Sequence, residues 1–118
     1  MVSLIDSYFF GRIVINGIRY TRDVIIFPDR ILDEWWRKER HRLDNEDLKK
    51  VFEINPQPGV IVVGTGYFGL MKVSKKVKEE LKRKRIEVII QSTKQAYLTF
   101  NKISKSKRNV IAALHLTC

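Results

Sequence analysis

The pattern of hydrophobic and polar positions changes in character near the middle of the chain. Residues 8–15 and 18–27 are rich in β-branched and aromatic side chains that alternate with polar ones, and Asn16 and Gly17 separate the two segments. Alternation with a period of two is typical of strands with one buried face. We expect Ile18 to lie on that buried face. Asn-Gly readily adopts the positive φ angles of a type I′ turn. The first part of the chain therefore predicts a β-hairpin.

The second half carries continuous apolar runs instead of alternating ones. The runs occupy residues 60–63, 86–90 and 110–114. A strand without a polar face must be covered on both sides, as in the interior of a layered α/β sheet. Helical spacing of apolar residues between the runs predicts a helix over 75–85 with Ser74 as N-cap, and another that begins at Thr93 as N-cap. The alternation of strands and helices predicts a mostly parallel sheet with right-handed crossovers.

A polar connection links these two parts. An extended piece is predicted at 31–35, and Trp35 and Trp36 lead into the charged segment 37–42, which we expect to be exposed. Interleaved aromatic and basic residues can stack on bases and bind phosphates. Adjacent tryptophans beside a polar loop also anchor such loops to the core, and we favour this interpretation. We expect His41 to be an exposed or structural histidine, and a helix to begin at Asp44 or Asn45.

Length and composition place the chain in one class. With 118 residues and 44% hydrophobic content, it has the size of one compact α/β domain over residues 1–118. No apolar run approaches the length of a membrane span, and the N-terminal residues lack the pattern of a signal peptide, so we expect a cytoplasmic protein without membrane insertion. The single cysteine, Cys118, excludes an internal disulfide and a cysteine-based zinc site. We expect no cofactor and no metal.

The net charge of +10 lies entirely in the second half. Residues 1–59 hold 10 Lys/Arg and 10 Asp/Glu, whereas residues 60–118 hold 13 and 3. The predicted helix presents a basic patch formed by Lys75, Lys76, Lys78, Lys82, Arg83, Lys84 and Arg85. Such a patch can attract nucleic acid or another anionic partner. It can also be a solvated helix face, and abundant charge with only three Gln suits a heat-adapted organism.

A glycine-rich loop follows the most hydrophobic strand. Ligands of open α/β sheets bind beyond the carboxyl ends of the strands, so the loop predicts a small-ligand or anion-binding pocket. The candidate residues of this pocket are Gly64, Thr65, Gly66, Thr93, Asn101 and His115. The loop also fits G-x-G-x-x-G with Glu87 as a ribose-binding acid, but the next helix begins too late to bind a pyrophosphate. The glycines can equally have a structural role, because glycine permits close packing of the backbone as well as close approach of a ligand.

Cys118 and His115 form a second candidate, because a thiol nucleophile needs a neighbouring base. If the last strand continued to the end of the chain, the two side chains would lie on opposite faces of the sheet. The pattern therefore argues against a catalytic dyad. We expect His115 to bond within the sheet edge or to line a polar pocket with Thr93 and Gly66.

Several of these residues together resemble the adipogenesis-associated Mth domain family. They are Trp35 and His41, Gly64-Thr65-Gly66, Thr93 with Ala96, Asn101, and the terminal His115-Leu116-Thr117-Cys118. The resemblance covers nearly the whole chain. It implies a three-layer α/β fold in which an N-terminal β meander joins a mixed central sheet flanked by helices. It also implies animal relatives of two kinds: a cytoplasmic protein linked to fat-cell differentiation, and a mitochondrial factor, assembly factor three, that helps to assemble respiratory complex I.

Three hypotheses on function follow from these observations. The first is a small non-enzymatic binding or assembly module with an unidentified protein partner, and a homo-oligomer is compatible with it. The resemblance favours this hypothesis because it implies no enzymatic activity. The second is a ligand pocket, with or without catalysis, at the Gly64-Thr65-Gly66 loop. The third is nucleic-acid binding by the basic patch, for which we expect a steep dependence of affinity on salt.

Overall fold

The computed structural model describes residues 4–106 and 108–118. The N-terminal residues 1–3, which contributed to the expectation of no signal peptide, lie outside the described residues. In chain order the elements are β1 (Ile5–Phe9), β2 (Arg12–Ile15), β3 (Ile18–Tyr20), β4 (Val24–Ile26), β5 (Ile31–Leu32), β6 (Arg42–Leu43), a 3₁₀ turn (Asn45–Leu48), α1 (Lys49–Glu53), β7 (Val60–Thr65), β8 (Lys72–Val73), α2 (Lys75–Arg83), β9 (Glu87–Gln91), α3 (Thr93–Lys105) and β10 (Val110–His115).

The central sheet has the strand order β5-β4-β10-β7-β9. The last three are mutually parallel, as the alternation of strands and helices predicts, and β4 and β5 extend the sheet in antiparallel fashion. Every residue of β7 and of β10 is buried, because both strands lie inside the sheet and both faces are covered. The predicted mixed α/β sheet is confirmed.

Alternate residues of β7 supply two hydrophobic cores, one on each face of the sheet. Ile61 and Val63 pack with the side chains of α1 and α2, whereas Val60 and Val62 pack with α3 and with the meander β1-β2-β3. Successive side chains of a strand point to opposite faces, so a continuous apolar run is what two cores require. The three-layer arrangement with an N-terminal β meander is confirmed.

The meander is held by the predicted turn. Asn16 and Gly17 have φ angles of 50° and 81°, as a type I′ turn demands. The prediction of two long strands over 8–15 and 18–27 is wrong, because a turn with Gly11 at positive φ divides the first and the chain changes sheets after Tyr20. The expected burial of Ile18 is also wrong: it is 58% exposed on the edge strand β3.

Two of the helix starts agree with the sequence prediction. Asp44 and Asp47 form a capping box before the 3₁₀ turn, and the hydroxyl of Ser74 accepts the backbone N–H of Val77 at the start of α2. The helix α2 ends at Arg83, two residues before the predicted end, and Arg85 has a φ of 60°. The N-cap of α3 is Ser92, so the prediction of Thr93 as N-cap is wrong.

The connection after Trp35 differs from the expected exposed loop. Trp35 is buried, as an anchoring tryptophan should be, and Trp36 is exposed. Arg37 is buried as well, which charge and hydropathy do not indicate. The segment ends in β6, which pairs in parallel with β8 and was not predicted. Within residues 4–106 and 108–118, the helices are all too short and too polar to span a lipid bilayer.

Candidate functional site

The two glycines of the predicted pocket lie in close contact with other parts of the chain. A Cβ atom on Gly64 would lie 2.7 Å from the hydroxyl oxygen of Thr93 and 2.9 Å from a methyl carbon of Leu114. A Cβ atom on Gly66 would lie 2.3 Å from the carbonyl carbon of Cys118 and 2.6 Å from the carbonyl oxygen of Thr117. The glycines therefore let helix α3 and the chain after β10 approach the loop closely.

Backbone hydrogen bonds fasten this loop to the segment 116–118. The N–H of Tyr67 donates to the carbonyl of Thr117 at 2.7 Å, and the N–H of Leu70 donates to the carbonyl of Cys118 at 3.0 Å. On the other side, the N–H of Gly11 donates to the carbonyl of Leu116 at 2.9 Å. The segment is thus held between the glycine loop and the turn after β1.

Thr93 joins the loop to the last strand. Its buried hydroxyl accepts the N–H of Gly66 at 2.9 Å and donates to the carbonyl of His115 at 2.6 Å. Both protein groups would lose a partner if this hydroxyl were removed.

Thr93→Val is expected to lower the free energy of unfolding by about 2 to 3 kcal/mol, because it leaves the buried N–H of Gly66 without its acceptor and removes a donor from the buried carbonyl of His115. Urea unfolding monitored by circular dichroism measures the change. Thr99→Val on the same helix is the control, since that hydroxyl is only part-buried and donates to a single side chain, Gln91. Equal losses in the two variants would contradict the prediction.

The remaining candidates of the predicted pocket have separate partners. The side-chain amide of Asn101 pairs with both backbone groups of Ile5 at 2.8 Å, which attaches β1 to α3. The hydroxyl of Thr65 donates to the carbonyl of Gln91 at 3.1 Å. The structure thus brings together Gly64, Gly66, Thr93 and the backbone of His115, and places Asn101 in another contact. Ligand binding at these residues stays a prediction.

The side chain of His115 belongs to a buried polar cluster that the sequence analysis missed. Its Nδ1 lies 2.8 Å from Oδ2 of Asp23 and 3.0 Å from Nη2 of Arg37. Arg37 donates from Nη1 to the same carboxylate oxygen at 2.7 Å and from Nη2 to the carbonyl of Arg40 at 2.7 Å. The other carboxylate oxygen of Asp23 accepts the N–H of Leu116 at 2.8 Å. Three chain segments therefore meet at one carboxylate: the residue before β4, the connection after Trp35, and the end of β10.

The Asp23 carboxylate is ionised in this cluster. Burial by itself raises the pKa of the Asp23 carboxyl, but the hydrogen bond and charge of His115, the N–H of Leu116 and the charge of Arg37 together lower it below its ordinary value. A charged Asp23 also explains how the protein keeps the guanidinium of Arg37 buried, with 3% of its side chain exposed.

An open cavity of about 620 Å³ lies against this cluster. Its wall includes the polar cluster of Asp23, Arg37 and His115. It also includes three aromatic residues and two residues that follow β10: Phe10, Trp35, Trp36, Thr117 and Cys118. The strand β10 ends at His115 and does not continue to Cys118, so the expectation that the two side chains lie on opposite sheet faces does not apply. Both line this cavity, while the ring of His115 bonds to Asp23 and Arg37. His41 is exposed, with its ring centroid 6.0 Å from that of His115.

Next to the cavity the surface carries an aromatic patch, which we define as Phe9, Phe10, Tyr67, Phe68 and Leu70. Phe9, Phe10, Phe68 and Leu70 are 56%, 43%, 66% and 51% exposed. The rings of Phe9, Phe10 and Phe68 contact Tyr67 with centroid distances of 5.6, 5.8 and 5.1 Å. Contiguous exposed apolar side chains of this kind mark interaction sites.

The predicted basic patch faces solvent. This exposure is compatible both with a binding surface and with a solvated helix face. Six of its seven side chains are exposed, and Lys84 is half-buried. Arg83 pairs with Glu80 at 2.6 Å, and Lys84 lies 3.8 Å from the same carboxylate. Lys75, Lys76 and Lys78 are at the start of the helix and Lys82 near its end. Nucleic-acid binding by this patch stays a prediction.

These features define a three-layer α/β domain with a polar cavity and an aromatic patch at the carboxyl ends of its parallel strands. Residues 5–115 match the family described as "Protein of unknown function (DUF498/DUF598)", and the chain belongs to this family. The resemblance found in the sequence is confirmed by a curated relative from Danio rerio, named NADH dehydrogenase (ubiquinone) 1 alpha subcomplex assembly factor 3. It is 35% identical over 100 residues, which are 85% of this chain and 56% of the relative.

Solved structures show the same fold over nearly the whole chain. A conserved hypothetical protein, PH1505 from Pyrococcus horikoshii OT3, is 28% identical with a TM-score of 0.80, covering 97% of this chain and 98% of its own. A structure described as an outer membrane protein from Bartonella henselae is 26% identical with a TM-score of 0.86, covering 99% and 97%. The chain thus matches nearly the full length of these two solved chains and spans little more than half of the zebrafish assembly factor.

Proposed function

We propose that this chain is a non-enzymatic binding or assembly module that docks a protein partner on its aromatic patch. The observation that carries the proposal is the exposure of three large aromatic side chains, Phe9, Phe10 and Phe68, whose rings all contact Tyr67. Burying these side chains against a partner supplies the hydrophobic free energy of association.

The patch is suited to docking because its backbone is already ordered. Phe9 and Phe10 lie at the end of β1, and Phe68 and Leu70 lie on the loop that hydrogen-bonds to the segment 116–118. Lys94 further holds Tyr67 through a cation–π contact, with its Nζ 4.4 Å from the ring centroid. A surface that needs little ordering on binding loses less conformational entropy when the complex forms.

The family relationship supports the same function. The zebrafish relative carries the name of an assembly factor, and such a protein works through contacts with other proteins. The chain spans 56% of that relative, so we extend only the class of activity, assembly through protein contacts, and not its particular client. A single domain over 1–118 and a location in the cytoplasm stay predictions.

A photo-crosslinking experiment tests the proposal directly. We expect a photoreactive phenylalanine analogue at Phe68, incorporated in the cells that make the protein, to yield a discrete crosslinked band that contains one other protein. The reason is that an exposed ring in a docking surface becomes buried when the partner binds. Mass spectrometry of the band identifies the partner, and Phe9→Ser in the same chain should abolish the crosslink.

Leu98 provides the matched control, since it is 57% exposed on α3 and lies outside the aromatic patch. The same analogue at position 98 should give only diffuse background. Equal crosslinking from both positions would contradict the proposal. If Phe68 crosslinked only to a second copy of this chain, the aromatic patch would be the interface of a homo-oligomer and not a docking site for a different protein.

A further inference from the structure

The cavity beside the aromatic patch has the properties of a small-molecule site. Its volume of about 620 Å³ lies within the range of roughly 300 to 1,000 Å³ that small-ligand pockets occupy. It lies at the carboxyl end of β10, and ligands of open α/β sheets usually bind at such strand ends. Apart from His115, it uses residues other than those of the predicted glycine-loop pocket.

Two residues that line the cavity each have a buried nitrogen atom without a hydrogen-bond partner among residues 4–106 and 108–118. These atoms are Nε2 of His115 and Nε of Arg37, and 2% and 3% of these side chains are exposed. More than nine in ten buried polar groups in proteins are paired, because an unpaired group loses its hydrogen bonds to water without replacement. Both residues line the cavity, so a bound ligand can supply the missing acceptors.

The hydrogen bonds of Nδ1 determine whether Nε2 of His115 is a donor or an acceptor. If Nδ1 of His115 accepts from Nη2 of Arg37, the proton of the neutral ring is on Nε2. If Nδ1 donates to Asp23, the neutral ring has a bare Nε2, and protonation of the ring turns Nε2 into a donor. An anion next to Nε2 stabilises each state in which that nitrogen carries a proton. Nε of Arg37 is always a donor.

The charges around the cavity favour an anion as well. Arg37, Lys38 and Arg40 line it, and Asp23 is the one acidic side chain in its wall. Both oxygens of Asp23 already accept hydrogen bonds from the protein, so its charge is largely compensated by Arg37. Lys38 and Arg40 remain as exposed cations at the rim.

Aromatic side chains complete the wall. The indole of Trp36 is 79% exposed, and Phe10 stands on the same cavity. Flat apolar surfaces of this kind bind planar ligand groups by stacking. We propose that the cavity binds a small aromatic carboxylate, with the carboxylate accepting from Nε2 of His115 and the ring against Trp36.

The test is an NMR titration of the folded chain with benzoate as probe. We expect benzoate to shift the signals of the His115 ring and of the Trp36 indole N–H in a saturable way. Benzamide has the same shape without the charge, and we expect it to bind at least about tenfold more weakly, as loss of a charge-assisted hydrogen bond implies. His115→Phe should abolish the shifts at Trp36.

Because His115 is buried, its substitution can disturb the fold. A second variant therefore changes only exposed side chains. Lys38→Gln combined with Arg40→Gln should weaken benzoate binding about threefold or more. Lys75→Gln with Lys76→Gln removes the same charge from α2, outside the cavity, and should leave affinity unchanged. Equal binding of benzamide, equal effects of the two double variants, or no saturable shift at Trp36 and His115 would each overturn the proposal.

Discussion

Gly66→Ala is expected to lower the free energy of unfolding by roughly 3 to 5 kcal/mol, the sum of backbone strain and overpacking. Gly66 has a φ of 107°, which L side chains rarely adopt. The added Cβ would also lie 2.3 Å from the carbonyl carbon of Cys118. The obstacle is backbone, so no side-chain rotation can relieve the contact. Urea unfolding followed by tryptophan fluorescence measures the loss.

Gly17→Ala is the control that separates the cost of backbone strain from the cost of overpacking. Gly17 also has a positive φ, of 81°, but a Cβ there would meet nothing within 4 Å. We expect this control to lose only about 1 to 2 kcal/mol, from strain alone. A loss in Gly66→Ala no larger than in Gly17→Ala would show that the segment 116–118 can move away at little cost, contrary to the prediction.

Asp23→Ala is expected to be similarly severe, with a loss of about 3 to 5 kcal/mol in the free energy of unfolding. It leaves the guanidinium of Arg37 buried without its counter-charge and removes the acceptor of the Leu116 N–H. Arg37→Met should lose less, because the Asp23 side chain is 16% exposed and keeps His115 and Leu116 as donors. Equilibrium denaturation of the two variants measures both values.

The ion pair of Arg22 and Glu34 is the control, since its side chains are 70% and 65% exposed. Glu34→Ala should change stability by no more than about 0.5 kcal/mol. An Asp23→Ala loss of that small size would mean that the buried cluster contributes nothing to the folded state.

The effect of Asp23 also has a defined pH dependence. The pKa of its carboxyl is lower in the folded chain than in the unfolded chain, where a carboxyl of this type has a pKa of about 3.9. Its contribution to stability is therefore fully present above about pH 4 and is lost as the pH falls through the lower folded pKa. The difference in stability between the parent chain and Asp23→Ala should narrow only in that acidic range.

Local features of this protein could be predicted from the sequence because each depends on neighbouring residues. The Asn16-Gly17 turn, the Ser74 cap and the continuous run of β7 are of this kind. Turn type, capping and burial on both faces follow from side-chain chemistry and period along a few positions. The family could be recognised as well, because the resemblance rests on short motifs such as Gly64-Thr65-Gly66 that are visible in the sequence itself.

The roles of the residues at the site were decided by tertiary structure. Asp23 and His115 are 92 residues apart and meet only because β4 and β10 are neighbours in the sheet. Thr93 resembles an N-cap in sequence, but its hydroxyl instead joins Gly66 to His115. Arg37 lies in a charged segment and is buried because the carboxylate of Asp23, the residue before β4, compensates its charge. Sequence patterns describe local periodicity and charge, whereas contacts between distant strands depend on the strand order and packing of the complete fold.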